Sequence, residues 1–493
     1  MKSRLKAWLD APVSTWWCTI VWCVATALFV SFVRIFGGPS IIDAKESLYG
    51  TWAVAHGQLT CVYPPVTLSG FPPIPPLYFL LSGGIAAAFP IGRSVAFPSG
   101  ATLGPHCDKA FTGMNLWSFR ANASVATEWI GCVGWIALMI GVVLWLRASG
   151  RGRSGWEPAT LVVLACLPPV WMCVQSYFHP QDLVAVGLCL SSMACARRSH
   201  WVGAGILIAL AIVTQQFALL VALPLLVLAP ANRRISYATS ALFTGAVVAF
   251  PFLIVSGKNA LRGITIGTGD NPAHGGTVVW ELHLTGAGVV LFSRVLPILG
   301  SIVLSWWVSR KLGPAALEAS TLMAVAALSL SLRLVFEENL FAYYFLALAV
   351  CLVLLDVTRG RVRGSLIAWL VAVALLFCFR PGIAFEEGVR WGGRIQTLVP
   401  LIALVPALLM ILWRLLRGGA SWNLLPWIGV SVCALVSWPG HNALLDPDHV
   451  RWFWQIVLVI SGLMLAARPL ILEIRLGEKS STQTSQESVP SAV

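Results

Sequence analysis

Long apolar runs, rather than a two-residue alternation, mark this chain from end to end. Runs of that length predict helices that cross a bilayer and exclude a membrane β-barrel, whose strands alternate. The first covers residues 14–36, behind Lys2, Arg4 and Lys6. It exceeds the roughly 7–15-residue core of a signal peptide and lacks a small-residue cleavage pattern, so it reads as a retained span. Residues 128–146 form the next unambiguous one, closed by Arg147, Arg151 and Arg153. Later runs lie at 158–176, 182–196, 201–229, 235–256, 284–308, 314–332, 339–356, 364–379, 396–413, 422–438 and 452–467. Together they predict about 12 transmembrane helices of about 20 residues each. Two segments interrupt the pattern. Residues 76–92 are apolar but short, contain Gly83, Gly84 and Pro90, and follow a proline-rich stretch, which predicts an interfacial or re-entrant helix. In 201–229, Gln215 and Gln216 fall at the middle, where a polar pair suits a turn between two half-length helices.

Lysine and arginine gather in cytoplasmic loops. Arg147, Arg151 and Arg153, Arg197 and Arg198, Arg233 and Arg234, Arg310 and Lys311, Arg359, Arg361 and Arg363, and Arg468 are therefore expected inside, with both termini. Most acids, among them Asp43, Glu46, Asp182, Glu337 and Glu338, then fall outside. The predicted organisation is a cytoplasmic N-terminus at 1–13 and a first transmembrane helix at 14–36. A long external loop with amphipathic helices follows at 37–127, then a transmembrane core at 128–417 and two additional helices at 418–468. A Ser/Thr/Gln-rich cytoplasmic tail at 469–493 is expected to be disordered. The expected class is an all-α polytopic protein of the plasma membrane.

Composition agrees. The 493 residues are 58% hydrophobic and 11% charged, against about 25% charged in a soluble domain, which excludes a water-soluble enzyme and a disordered chain. The excess of 33 Lys+Arg over 20 Asp+Glu would suggest nucleic acid in a soluble protein. Here the inside loops account for it, and no basic stripe lies beyond them, so no nucleic-acid partner is expected. Of twelve cysteines, ten lie in or beside predicted helices, where cysteine is a small apolar filler. Cys61 and Cys107 sit in the external loop and are expected to form a disulfide if that side is oxidising, the alternative being two free thiols. No Cys/His spacing fits a zinc site, and no glycine-rich phosphate loop occurs. Neither a metal nor another cofactor is expected.

Chemistry must then sit at the outer ends of the spans. Asp43 opens a stretch in which Leu48, Trp52 and Ala55 recur at helical spacing and Gly57 suits the C-terminal cap. A carboxylate held there is a base fixed at the lipid–water boundary, or simply the cap of its helix. A second cluster is His179, Pro180, Gln181 and Asp182, with Pro180 in a first helical turn. The third is Arg333, Glu337 and Glu338, with Tyr343 and Tyr344 after them. Ionisable groups at such places are functional by default, although Arg333 and Glu337 equally suit a structural i,i+4 ion pair.

These segments resemble a known family. The pattern D-x-x-x-x-x-Y-x-x-W-A-x-x-x-G-Q, Asp43 to Gln58, after a retained first span is similar to the GT-C superfamily of membrane glycosyltransferases. The His179–Asp182 corner, W-x-x-A-G-x-x-x-x-L-A-x-x-x-Q-Q from Trp201 to Gln216, and R-x-x-x-E-x-x-x-x-x-Y-Y from Arg333 to Tyr344 resemble the actinobacterial polyprenyl-phosphate-mannose-dependent mannosyltransferases of glycosyltransferase family 87. The resemblance spans roughly residues 10–415. It implies a GT-C-like fold with a long first external loop, and inverting transfer of mannose from a polyprenyl phosphate carrier to a lipid-linked or glycan acceptor on the outer face. By that analogy Asp43 is the catalytic base, with Glu46, Tyr49 and Trp52 near acceptor or sugar. His179, Asp182, Arg333, Glu337, Tyr343 and Tyr344 fall to the donor phosphate side, with Arg380, Arg390 and Arg394 as further cations. Attack at an anomeric carbon needs one base on the acceptor side and donors to hold the departing phosphate. The sequence departs from metal-dependent GT-C enzymes in lacking an acidic pair at Asp43, which is followed by Ala44 and Lys45.

A secondary transporter or flippase of a lipid-linked or small polar substrate is the competing reading, since many spans and broken helices suit it too. Such proteins show similar halves and charge at mid-span. Here no internal repeat is found, and the ionisable residues concentrate at span ends. A third possibility is an inactive scaffold or lipid-binding partner, in which Asp43→Asn would leave function intact.

Overall fold

The computed structural model describes residues 21–22, 24–27, 50–63, 74–88, 116–152, 155–167, 169–170, 173–174, 178–265, 277–338, 340–378, 393–416, 424–436 and 447–487. Among them there are helices and turns and no strand. In chain order the main helices are α1 (Pro76–Ala88), α2 (Leu116–Ala148), α3 (Trp156–Ala165), α4 (Pro180–Arg197), α5 (Trp201–Ile212), α6 (Leu219–Leu228) and α7 (Ala231–Thr265). They continue as α8 (Leu296–Leu312), α9 (Ala319–Phe336), α10 (Phe345–Thr358), α11 (Gly364–Cys378), α12 (Gly393–Leu416), α13 (Leu425–Val436) and α14 (Pro447–Glu487). Among the described residues, five stretches are long and apolar enough to cross a membrane: 130–148, 231–261, 287–317, 319–336 and 455–476. The chain is an all-α polytopic membrane protein.

Burial sorts the helices into an inner and an outer set. In α9, 72% of the best apolar window is buried, and α10 is buried along nearly its whole length. Only 6% of the α7 window is buried, leaving Ile235, Leu242, Phe243 and Phe250 as an apolar face of the kind that lipid covers. α9 packs on α8, α10 and α14; α4 packs on α2 and α5; α7 lies on α5. The α2–α4 contact is a backbone approach. A Cβ at Gly141 would overlap the Gly187 carbonyl oxygen, and one at Gly187 would overlap that of Ala137. Small residues permit such approach where lipid provides no hydrophobic drive between helices, and here they fix the height of the α4 N-terminus.

The broken-helix expectation for 201–229 agrees with the structure. α5 ends at Ile212, Gln215 is extended (φ −155, ψ 131), a single 3₁₀ turn covers Gln216–Ala218, and α6 begins at Leu219. α7 is interrupted at Gly257 (φ 48, ψ −122), next to the predicted end at 256. α1 has 13 residues, fewer than the roughly 20 a span needs. The Leu77 amide donates to the Val213 carbonyl at 2.9 Å, docking α1 at the α5–α6 break.

Three expectations need correction. Several predicted spans are shorter helices of 10–17 residues, α3 among them: it stops at Ala165, ahead of Pro168 and Pro169, which disfavour helix before them. α2 begins at Leu116, 12 residues ahead of the start expected for its span at 128, within the external segment expected to carry amphipathic helices. The tail expected to be disordered from 469 instead continues α14 to Glu487. Leu470 and Ile474 are buried, and Glu473 accepts from Thr321 Oγ1 at 2.5 Å and pairs with Arg359 at 3.7 Å, which holds that part of the helix on the bundle.

Gly187→Val drives a branched side chain into backbone and should cost at least about 3 kcal/mol, the upper range for overpacking. Gly245→Ala on α7, where a Cβ meets nothing, should be neutral or stabilising. Thermal unfolding of purified protein in detergent compares the two.

Candidate functional site

Helix ends from across the chain meet at one level. The N-terminus of α4, the α5–α6 break, the C-terminus of α9, the 337–344 connection and the turn before α8 all converge there. Pro180 starts α4, its fixed φ suiting the first helical turn. Just ahead, Phe178 is fully buried with φ 55. A bulky residue in the left-handed region is strained, and burial in the cluster with Trp52, Tyr63 and Phe79 holds it there. His179 is thereby turned onto Tyr343, their rings stacked at 3.9 Å and 13°. Gln181 Nε2 lies 2.9 Å from His179 Nδ1. With that amide donating, the proton of the neutral imidazole sits on Nε2.

Asp182, in the first turn of α4, accepts from Gln215 Nε2 at 2.5 Å. A buried carboxylate at a helix N-terminus thus receives a donor that only the broken α5–α6 segment can supply. Phe217, in the same break, lies under the Arg333 guanidinium at 5.2 Å, and Tyr344 faces that guanidinium at 4.7 Å. Phe341, Tyr343 and Tyr344 form a continuous aromatic group, with the Tyr343 and Tyr344 rings perpendicular at 4.6 Å. The sequence-predicted His179–Asp182 and Arg333–Tyr344 clusters are therefore one constellation.

Its charges are organised around Glu337, whose side chain is 1% exposed. Arg333 Nε donates to Glu337 Oε2 at 2.8 Å, realising the i,i+4 ion pair that the sequence left as an alternative. Arg294 Nη1 donates to Glu337 Oε1, also at 2.8 Å. The second nitrogen of Arg294 reaches Glu338 Oε1 at 3.5 Å, a long contact. Burial by itself would raise the Glu337 carboxyl, but the two guanidiniums outweigh it and hold it below the ordinary value. For Glu338 burial dominates, Arg294 offsets part of it, and the neighbouring Glu337 charge adds to it, so this carboxyl lies above the ordinary value. Two adjacent carboxyls are thus driven apart, one a permanent counter-ion and the other the readier proton acceptor.

Arg294 escaped the sequence reading. It lies in a π-helical turn, Leu291–Val295, inside the run predicted as the span 284–308. The available signal was an arginine inside an apolar span, which marks function by default; π turns often accompany such sites. Its side chain is 31% exposed, against 19% for Arg333, so Arg294 is the more accessible cation.

Residues 116–265 match the model of glycosyltransferase family 87. The match supports a glycosyltransferase and covers less than a third of the chain, from α2 to α7. It contains His179, Asp182 and Gln215; Arg294, Glu337 and Tyr343 reach the constellation from beyond it. No curated protein matches the chain.

Other expected site residues divide in two ways. Asp43, Glu46, Tyr49 and Cys107, with Arg380 and Arg390, lie outside the described residues, and Arg394 is in the first turn of α12. The helix expected after Asp43 is present at 50–55. Gly57, at φ 72, caps it with its amide donating to Val54 O and that of Gln58 to Ala53 O, the paired bonds of a left-handed helix C-cap. Trp52 is fully buried there, in the cluster that includes Phe79 and Val62. Cys61 is disulfide-bonded. Among the described residues no group of three His, Cys, Asp or Glu side chains could hold a metal ion.

The depressed Glu337 carboxyl stabilises the fold in full above about pH 4.3, its ordinary value, and that contribution is lost as pH falls through the lower folded value. Thermal midpoints should fall correspondingly on acidification. Glu337→Gln should remove this component and cost about 3–5 kcal/mol at pH 7, because two guanidiniums lose a buried counter-charge. A pH series of unfolding midpoints for both proteins measures it.

Proposed function

We propose that this protein transfers a single sugar, mannose, from a polyprenyl phosphate carrier to a hydroxyl of a glycolipid or glycan, with inversion, at the outer face of the plasma membrane. The observation that carries the reading is the family 87 match over the segment that presents His179 and Asp182 to the Arg294–Arg333 centre. In this reading Asp43 takes the proton from the acceptor hydroxyl as its oxygen bonds to the anomeric carbon. The bond from that carbon to the phosphate oxygen breaks, and the phosphate leaves with the electron pair. Arg294 receives it: the long contact to Glu338 is exchanged for a short charge-assisted bond to phosphate oxygen. His179 offers Nε2–H to the same group. Arg333, held by Glu337 and two rings, keeps the acidic side chain in place rather than meeting substrate.

Positive charge at the far end of the same helices favours this orientation, since arginines concentrate on the cytoplasmic side. At that end Arg147 pairs with Glu157, Arg151 donates to Thr358 O, and Arg197 donates to Leu317 O. The aromatic and acidic constellation is then external, on the side where a lipid-linked sugar is presented.

Membranes with and without the protein, supplied with radiolabelled polyprenyl-phosphate-mannose, test the donor: product should depend on the protein, and equal product in both discards this donor. Asp43→Asn should abolish most turnover in a folded protein. Arg294→Gln should lower kcat/KM about 10²–10³-fold, the usual loss for a removed transition-state donor, with the unfolding midpoint showing that the protein remains folded.

A further inference from the structure

A groove of about 570 Å³ lies between the last turn of α6, the first turn of α7 and the latter part of α8. Arg310 is in the last turn of the 17-residue α8, whereas Arg294 stands just ahead of its first turn. About 25 Å of helix axis separates the two, so the groove belongs to the opposite face of the membrane from the constellation above.

Two guanidiniums line the groove, and each is positioned by a contact that leaves its charge in place. Arg234 Nε donates to the Ala229 carbonyl at 3.0 Å and Nη2 to that of Val227 at 2.9 Å. These carbonyls are available because α6 ends at Leu228, where the last carbonyls of a helix lack intrahelical donors. They fix the side chain without bringing a net charge to it, and Nη1 stays outside both bonds. Arg310 is held differently, its guanidinium carbon lying 4.9 Å from the centroid of the Trp306 ring. An aromatic ring attracts a cation but does not cancel it. Both arginines are exposed, so their charged heads are open to whatever enters the groove.

Charge and grease are separated along its length. Ser309 adds a hydroxyl beside the arginines, whereas Ile302 and Val303 line the groove about two turns back along α8, roughly 11 Å nearer the middle of the helix. Val303 is 62% exposed, and Leu299, one turn farther on the same face, is 51% exposed, so the apolar strip runs on toward the bilayer centre. Trp306 stands between the two ends, a residue type that settles among headgroups. A small water-soluble anion makes no use of the apolar length, and a lipid without net charge makes none of the two cations. A phosphodiester carried on an acyl chain matches both, as in other basic pockets between membrane helices. We propose that this groove binds an anionic phospholipid, its phosphodiester between Arg234 and Arg310 and one acyl chain along Val303 and Leu299. The site is independent of the glycosyl-transfer reading.

The test uses the purified full chain in detergent with short-chain phosphatidylglycerol, phosphatidylcholine of the same chain length, or glycerol phosphate, which has the headgroup charge and no chain. Unfolding midpoint and native mass spectrometry read the binding. Phosphatidylglycerol should raise the midpoint and be retained, whereas the other two should not at equal concentration. Arg234→Gln with Arg310→Gln should weaken phosphatidylglycerol binding about 25-fold, each guanidinium contributing roughly a factor of five. Arg234 also holds the end of α6, so Arg310→Gln alone, at an exposed position, should give about the single factor of five and decides the matter if the pair does not fold. Arg233→Gln, which removes the same charge from the neighbouring position outside the groove wall, should leave binding unchanged. Equal retention of phosphatidylcholine, an equal shift by glycerol phosphate, unchanged binding in Arg310→Gln, or equal weakening by Arg233→Gln would each overturn the proposal.

Discussion

Everything at the acidic end depends on how one buried carboxylate is neutralised. Glu337 receives a guanidinium from α9 and another from the π turn before α8, and it stands on the connection into α10. An ion taken out of water to this degree is tolerated only when its partners are fixed and its lone pairs occupied. That requirement ties three elements to one point. It also leaves the second nitrogen of Arg294 with only the 3.5 Å contact to Glu338, because Arg333 already satisfies the other Glu337 oxygen. The accessible cation of the site is thus a by-product of the buried pair.

The broken α5–α6 segment does the corresponding work on the other flank. A continuous helix through 201–229 would keep its polar groups bonded along its own axis. Ending at Ile212 frees the Val213 carbonyl for Leu77, the Gln215 amide for Asp182 and the Phe217 ring for Arg333. One interruption thereby links α1, α4 and α9. Non-helical backbone at such a depth is tolerated because protein surrounds it, and Phe217 and Ala218 are indeed buried.

How far this was legible in the sequence differs by residue. The break could be read because Gln215 and Gln216 are polar in an apolar run, and α4 because Pro180 announces its first turn. His179, Asp182, Arg333 and Glu337 stood out as ionisable groups at span ends, yet nothing in their spacing says that Gln215 bonds Asp182 or that Tyr343 lies on His179. Those contacts join positions far apart in the chain, and their geometry is set by packing such as the Gly141–Gly187 approach. Arg294 was missed for the opposite reason: local hydropathy absorbed it into a span. The burial of Trp52 was not legible either, because helical periodicity identifies a face without saying whether lipid, water or other protein covers it; it lies in the cluster that includes Phe79 and Val62. The tail was misjudged because composition does not register Leu470, Glu473 and Ile474 meeting partners from distant helices.

The brevity of α10 has its own meaning. Fourteen residues give about 21 Å of axis, against roughly 30 Å of hydrocarbon. A helix that short covers only part of such a thickness, so the segments that flank it at Tyr344 and Thr358 must make up the rest of any crossing. In the proposed reaction the two reactants would then reach Tyr344 by different routes, the greasy-tailed donor from the side and the polar acceptor from water.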